Sequence, residues 1–219
     1  MPLLCRVINL GIQDYWEVYQ YQKDLVQAKA NAKHGHDTLI LVEHPPVFTI
    51  GKSGSRENLH IPPEHLEEKG IAVYEIDRGG DITYHGPGQL VGYPILNLER
   101  HGKDLHKLIW KYEEVIIRTL AGFGIAGLRL EQYPGVWVGE EKIAALGIGV
   151  SKWIAYHGFA LNVNPNLSHF KMITPCGIHD KSVTSLELLL GHQVKMEEVT
   201  ERLVQRFGEV FNMEMRYSI

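Results

Sequence analysis

The sequence predicts a single domain of the α+β or mixed-sheet α/β class, extending over residues 1–219. Segments with helical and with strand periodicity follow each other in mixed order, and the pattern between residues 135 and 163 is that of an antiparallel meander. The chain has 219 residues, of which 44% are hydrophobic, and this is enough to bury one sizeable core.

The first half of the chain predicts helices and strands in alternation. Asp14 is a suitable N-cap, and Glu17 three residues later completes an acidic variant of the capping box, so we expect a helix from Asp14 towards Ala32. The other elements expected in this half are a strand over 38–43, a short helix between Pro62 and Gly70, and a strand over 72–76.

The centre of the chain is rich in glycine. Residues 78–92 contain five glycines and are expected to form a loop or a broken strand. The strand expected over 93–98 contains Pro94, which indicates an edge strand or a strand start because proline donates no ladder hydrogen bond. Apolar residues over 105–120 then follow helical spacing, and Gly122 is the expected helix stop.

The last third of the chain predicts the meander and two further helices. Runs rich in β-formers over 136–138, 142–150 and 153–163 are separated by turn sequences at 139–141 and 151–152. The helices are expected near Thr184–Leu190 and over Met196–Phe211.

Composition and charge narrow the classes of function. The formal net charge is −4 with 12 histidines counted as neutral, which argues against nucleic acid as a general partner. No stretch of ~18 consecutive apolar residues is present, so no membrane association is expected. The N-terminus lacks a signal- or transit-peptide pattern and the chain has two cysteines, so we expect a reducing, cytoplasmic location.

Cys176 is the cysteine whose sequence setting is most suited to chemistry. Flanked by Pro175 and Gly177, it is expected on an exposed turn, whereas Cys5 lies in the N-terminal segment. A thiol needs a base to become a nucleophile, and His179 is one candidate. The alternative is that Cys176 is a small buried hydrophobe. No spacing in the chain matches a zinc motif, so we expect no metal and no cofactor.

Two other segments carry candidate site residues. Lys142 begins a strand rich in small residues, over 144–149, that leaves space for a long substrate or a second backbone. A lysine at a strand start usually reaches solvent, but a buried lysine loses its proton readily and can serve as a base. The glycine-rich segment 78–89 is either a simple connection or a place where backbone N–H groups and Arg78 approach an anionic ligand. Its spacing fits neither a Walker P-loop nor a Rossmann fingerprint.

At these segments the chain resembles the lipoyl(octanoyl) transferase family, in order and spacing from about residue 38 to 190. The residues that carry the resemblance are Arg78-Gly79-Gly80 with Thr83, His85 and Pro87-Gly88-Gln89, then Gly135-Val136-Trp137-Val138, Lys142-Ile143-Ala144-Ala145-Leu146-Gly147, His157-Gly158-Phe159-Ala160-Leu161-Asn162-Val163, and Pro175-Cys176-Gly177-Ile178 with Val183-Thr184-Ser185-Leu186. One departure is Ala155, where relatives often carry Thr.

The resemblance implies a fold like the catalytic domain of biotin and lipoate–protein ligases. It also implies transfer of an octanoyl group from octanoyl-acyl carrier protein to a lysine of lipoyl domains, those of 2-oxo acid dehydrogenase E2 subunits and of the glycine cleavage H protein. By motif position, Cys176 is the expected acyl-thioester nucleophile and Lys142 its base. The substrate site is expected to include Arg78, Gly79, Gly80, Asp81, Ile82, Thr83, Tyr84, His85, Ala145, Leu146, Gly147, Gly158, Phe159 and Ala160.

Three other functions stay open from the residues alone. An ATP-dependent lipoate–protein ligase on the same fold would not need Cys176. A Cys–His hydrolase would use His179 as its base. A protein that only binds acyl carrier or lipoyl domains would form no octanoyl adduct.

Overall fold

The computed structural model of the protein describes residues 2–32, 35–174 and 181–218. The helices in these ranges are α1 (Tyr15–Asn31), α2 (Pro63–Glu68), α3 (Leu105–Ala121), α4 (Leu186–Leu190) and α5 (Met196–Phe211). The strands are β1 (Leu3–Ile12), β2 (Asp37–Glu43), β3 (Val47–Ile50), β4 (Ala72–Glu75), β5 (Ile82–His85), β6 (Gln89–Asn97), β7 (Leu128–Leu130), β8 (Tyr133–Val138), β9 (Glu141–Ser151), β10 (Ile154–Asn162), β11 (Ser182–Val183) and β12 (Met213–Tyr217).

The described strands form a large mixed sheet and a small one, so the predicted fold class is confirmed. In the large sheet the order is β12-β1-β2-β6-β10-β9-β8-β7, and β11 pairs with β9. The pairs β12–β1, β1–β2 and β11–β9 are parallel, and the others are antiparallel. The predicted meander is β8–β9–β10. The small sheet has the order β4-β3-β5.

The helices cover both faces of the large sheet. On one face α3 and α5 pack over a core that includes Tyr112, Ile116, Leu203 and Phe207. On the other face α1 packs over a second core, and its N-terminus is capped by Asp14 as predicted, because the carboxylate accepts hydrogen bonds from the N–H groups of residues 16 and 17. No helix in the described ranges combines the length and the apolar character that crossing a bilayer requires.

Pro94 lies inside a central strand, which differs from the predicted edge or strand start. It is opposite His157, and the β6–β10 pairing is interrupted there, between the pairs Leu96–Ala155 and Gly92–Phe159. His157 has a φ of 57°, and its buried N–H donates to the Gln22 side chain instead, at 2.9 Å. Where the sheet accommodates proline, the His157 N–H therefore donates to a helix side chain instead of to the neighbouring strand.

Candidate active site

A cavity of about 380 Å³ lies beside β9 and β10, where the loop before β5 approaches them. It lies within the size range of pockets that hold small ligands. Residues lining it that were not predicted from the sequence are Tyr15, Val91, Tyr93, Ile109, Gln132, Tyr133, Pro134, Ile148, His157, Phe170 and Val183.

Most of the residues predicted for the site line this cavity. They are Arg78, Gly79, Gly80, Asp81, Ile82, Thr83, His85, Lys142, Ala145, Leu146, Gly147, Gly158, Phe159 and Ala160. Tyr84 is not among the lining residues, since its ring packs against Phe48 and Phe170 and its hydroxyl is 2.7 Å from His169 Nδ1. Cys176 and His179 lie outside the described residues.

Arg78 is buried at the wall of the cavity and holds its loop in place. Its guanidinium donates to Thr49 O at 2.6 Å, to Thr49 Oγ1 at 2.9 Å and to Gly79 O at 3.1 Å. The Gly79 N–H donates to Ile148 O on β9 at 2.8 Å. The glycine-rich loop is therefore tied both to the small sheet and to the strand that carries Lys142.

Lys142 is partly buried on β9, between β8 and β11. Its cross-strand partner on β8 is Trp137, and its Nζ lies 4.9 Å from the centroid of that buried indole ring. On the other side it pairs with Val183, and its carbonyl accepts from the Thr184 N–H at 3.0 Å. A lysine held over an aromatic ring in the wall of the cavity has a defined position relative to a bound ligand.

Two buried histidines beside the cavity are neutral. Burial lowers the pKa of His85 to about 3 and the pKa of His44 to about 4. His85 hydrogen-bonds Gln89 Oε1 through Nδ1 at 2.7 Å. His44 donates from Nδ1 to Gln13 O at 2.8 Å, so its Nε2 accepts from the Tyr93 hydroxyl at 2.9 Å. Neutral rings make this wall compatible with an uncharged ligand.

Asp77 is a hydrogen-bond centre directly before Arg78 that sequence reasoning missed. Its carboxylate accepts from His157 Nε2, Lys23 Nζ, and the hydroxyls of Tyr156 and Tyr19, at 2.6 to 3.0 Å. The bond from His157 is the main cause that holds the Asp77 pKa well below its usual range. Burial lowers the pKa of His157, so the pair is a neutral imidazole donating to a carboxylate. The only feature of the sequence that could have indicated a role for Asp77 was its position next to Arg78.

The cavity surface is mainly apolar and suits an uncharged ligand more than a multiply charged one. The lining combines aliphatic, aromatic and glycine positions with the cations Arg78 and Lys142. The Asp81 carboxylate is already bonded to Asn58 and to the Ile82 N–H. Among residues 2–32, 35–174 and 181–218, no group of three or more His, Cys, Asp or Glu side chains is placed to share a metal ion.

A family model and individual relatives both match almost the whole chain. The family described as the lipoyl protein ligase A/B catalytic domain matches residues 14–208. The chain is 49% identical to an octanoyltransferase of Caldicellulosiruptor saccharolyticus, with 96% of this chain and 90% of the relative covered. It is 46% identical to an octanoyltransferase of Nostoc sp., with 96% and 94% covered.

Solved structures show the same fold at low sequence identity. A putative lipoate protein ligase from T. acidophilum with bound lipoic acid superposes with a TM-score of 0.80 at 17% identity, covering 99% of this chain and 89% of that one. A biotin protein ligase from Aquifex aeolicus superposes with a TM-score of 0.54 at 16% identity, covering 94% and 69%. The fold expected from the resemblance is confirmed.

Proposed function

This chain belongs to the lipoyl protein ligase A/B catalytic domain family, and we propose that it transfers octanoyl groups through a thioester on Cys176 with Lys142 as the base. It is an octanoyltransferase, an acyltransferase of protein lipoylation, since relatives of that name match almost the full chain at 42% to 49% identity. That near-complete match is the observation that carries the assignment. The mechanism of transfer and the identity of the donor and acceptor proteins are the proposal.

The first half-reaction moves the acyl group from one sulfur to another. The Lys142 amine takes the proton of the Cys176 thiol, and the thiolate attacks the carbonyl carbon of the octanoyl thioester on acyl carrier protein. The tetrahedral intermediate collapses, the C–S bond to the carrier breaks, and the carrier thiolate takes the proton back from the Lys142 ammonium. Thioester exchange is nearly isoenergetic, so ATP is not required.

The second half-reaction forms the amide. The neutral amine of the acceptor lysine attacks the Cys176 thioester, the C–N bond forms, and the Cys176 thiolate leaves. Lys142 accepts the proton that the amine loses and returns it to the thiolate. The acceptors are lipoyl domains, those of 2-oxo acid dehydrogenase E2 subunits and of the glycine cleavage H protein. A cytoplasmic location is part of the proposal.

The cavity supports the octanoyl part of the proposal. Its aliphatic and glycine positions provide an apolar wall, and each buried CH₂ contributes roughly 0.8 kcal/mol to binding. Lys142 belongs to this wall. From Lys142, the paired strands β9 and β10 continue towards His157. The acyl chain would lie along these strands, with its thioester towards Lys142.

The test is an intact-mass measurement after incubation with octanoyl-acyl carrier protein in the absence of ATP. We expect one octanoyl adduct on the wild type, none on Cys176→Ser and none on Lys142→Ala, whereas His179→Ala keeps most of the adduct. A strict requirement for ATP would indicate a lipoate–protein ligase. Loss in His179→Ala with retention in Lys142→Ala would indicate a Cys–His pair. No adduct on any variant would indicate binding without turnover.

A further inference from the structure

The backbone beneath Lys142 is irregular in a way that places its side chain. Val136 pairs with Ala144 and Trp137 pairs with Lys142, so β9 has one residue more than β8 at this point. Such a bulge re-aims the side chains beside it. Gly135 precedes this step in β8, with a φ of 133° that favours glycine.

The aliphatic stem of Lys142 lies directly over Gly135. A methyl group at Gly135 would lie 3.3 Å from Lys142 Cε, 3.5 Å from its Cδ and 2.7 Å from Ala144 O. The stem therefore rests against a bare backbone, and the ammonium lies against the Trp137 ring. A shift of the Gly135 peptide moves the surface that supports the lysine.

A buried carboxylate from α3 holds that peptide. Glu113 is only 7% exposed, and its Oε1 accepts from the Gly135 N–H at 3.1 Å. Its Oε2 accepts from Arg129 Nε, also at 3.1 Å. A carboxylate this buried is unfavourable unless it is paired, and here one oxygen serves the ion pair while the other serves the β8 backbone.

Arg129, on β7, is itself fixed by its surroundings. Its guanidinium carbon lies 4.6 Å from the centroid of the Trp110 ring. Its Nη2 donates to Trp110 O at 3.1 Å and to Glu114 Oε2 at 2.7 Å. Glu113 and Glu114 are thus neighbours on one helix that share one arginine. Of the two, Glu113 is the one bonded to the Gly135 N–H.

We propose that Glu113 is a positioning residue for Lys142, acting through the Gly135 backbone. The inference rests on the proposed role of Lys142 as the base for Cys176. Proton transfer requires the amine within hydrogen-bond reach of the thiol, and a misplacement of about 1 Å costs on the order of 100-fold in rate. Glu113 is not among the residues that line the cavity, so its effect falls on the chemical step and not on donor binding.

The experiment compares Glu113→Gln and Glu113→Ala with Glu114→Gln as the matched control. We expect the rate of octanoyl-enzyme formation at saturating donor to fall roughly 10-fold to 100-fold in both Glu113 variants, with little change in KM. The pH at half-maximal alkylation of Cys176 by iodoacetamide rises in the same variants. Glu114→Gln loses one bond to the same arginine and keeps both readouts close to wild type.

The outcomes separate this inference from the function on which it rests. Thermal unfolding is measured for each variant, and Glu113→Gln, which conserves shape, decides the question if Glu113→Ala does not fold. Glu113→Gln with the rate and alkylation profile of Glu114→Gln would overturn the inference. Lys142→Ala is measured in parallel: if it still forms octanoyl-enzyme at the wild-type rate, the proposed base is wrong, irrespective of Glu113.

Discussion

At the scale of single residues, the shape of the cavity depends on two glycines, which have no side chain. Gly147 on β9 and Gly158 on β10 are direct cross-strand partners. A methyl group at Gly147 would lie 3.0 Å from both Arg78 Cδ and Gly79 O, and one at Gly158 would lie 2.3 Å from Gly92 O. The loop that carries Arg78 can therefore approach β9 only because Gly147 has no Cβ.

Gly147→Ala is predicted to push the Arg78 loop away from β9. Overpacking of this kind costs about 1–3 kcal/mol, and because the loop forms a cavity wall we expect KM for the octanoyl donor to rise about 10-fold. Steady-state octanoyl transfer to a lipoyl domain measures this. Gly35→Ala is the control, since no atom of the described residues lies within 4 Å of the added methyl group. An unchanged KM in Gly147→Ala would contradict the prediction.

The residues that line the cavity were predictable where the sequence carried a local pattern. Lys142 and the small residues after it share one strand, and Arg78 is followed directly by two glycines. Glu113 and Asp77 were not predictable in this way. Glu113 bonds Gly135, which is 22 positions away in the sequence, and Asp77 bonds His157, which is 80 positions away. Local periodicity does not reveal contacts between residues so far apart in the sequence.

At the scale of elements, a hydrogen bond joins α1 to the large sheet at the point where the pairing of β6 with β10 is interrupted. Gln22 is fully buried, and its Oε1 is the acceptor for the His157 N–H opposite Pro94. The same helix carries Tyr19 and Lys23, which bond Asp77. Side chains of α1 thus support the β10 residues that line the cavity.

Gln22→Ala is predicted to destabilise the protein by about 1–3 kcal/mol, because the buried His157 N–H loses its acceptor. The free energy of unfolding in urea measures the effect. Gln20→Ala, an exposed position on the same helix, is the control and is expected to stay within about 0.5 kcal/mol of wild type. Equal effects of the two substitutions would show that the hydrogen bond is not what matters.

Elements with a strong period and clear end signals were predicted correctly. Helices α1, α3 and α5 and the meander β8–β9–β10 lie within a few residues of their expected positions. Strands β1, β3, β7, β11 and β12 were not predicted. β1 and β12 pair with each other from opposite ends of the chain, and β3 and β7 are four and three residues long, too short for periodicity to reveal them.

At the scale of the whole molecule, buried side chains whose protonation affects stability lie at both ends of β2 in the large sheet. Beside the cavity, His44 and His85 are buried as neutral rings. At the end where β2 starts and β6 ends, Asp37 is buried as a charge. Burial opposes its ionisation, but bonds from His101, Lys29 and the Asn97 N–H hold its pKa below the usual value. Folding stability therefore responds to acid through two separate groups of residues.

The stability of the fold is predicted to fall between pH 7.5 and pH 5 because of the neutral histidines. In the unfolded chain a histidine takes up a proton below about pH 6.5. In the folded chain His44 and His85 stay neutral down to about pH 4 and about pH 3. The unfolded state thus binds more protons in this window, and each histidine lowers the free energy of unfolding by about 2 kcal/mol at pH 5. The lowered pKa of Asp37 and Asp77 adds a further loss only below about pH 4.

Urea unfolding of the wild type and of His44→Gln at pH 7.5 and pH 5 tests this origin of the pH dependence. Glutamine does not titrate, so the decrease in unfolding free energy between the two pH values is expected to shrink by about 2 kcal/mol in His44→Gln. His106→Gln is the control, because His106 is exposed and its substitution leaves the decrease unchanged. If His44→Gln and wild type lose the same stability between pH 7.5 and pH 5, His44 is protonated in the folded protein and the hydrogen bond assigned from Tyr93 to its Nε2 is wrong.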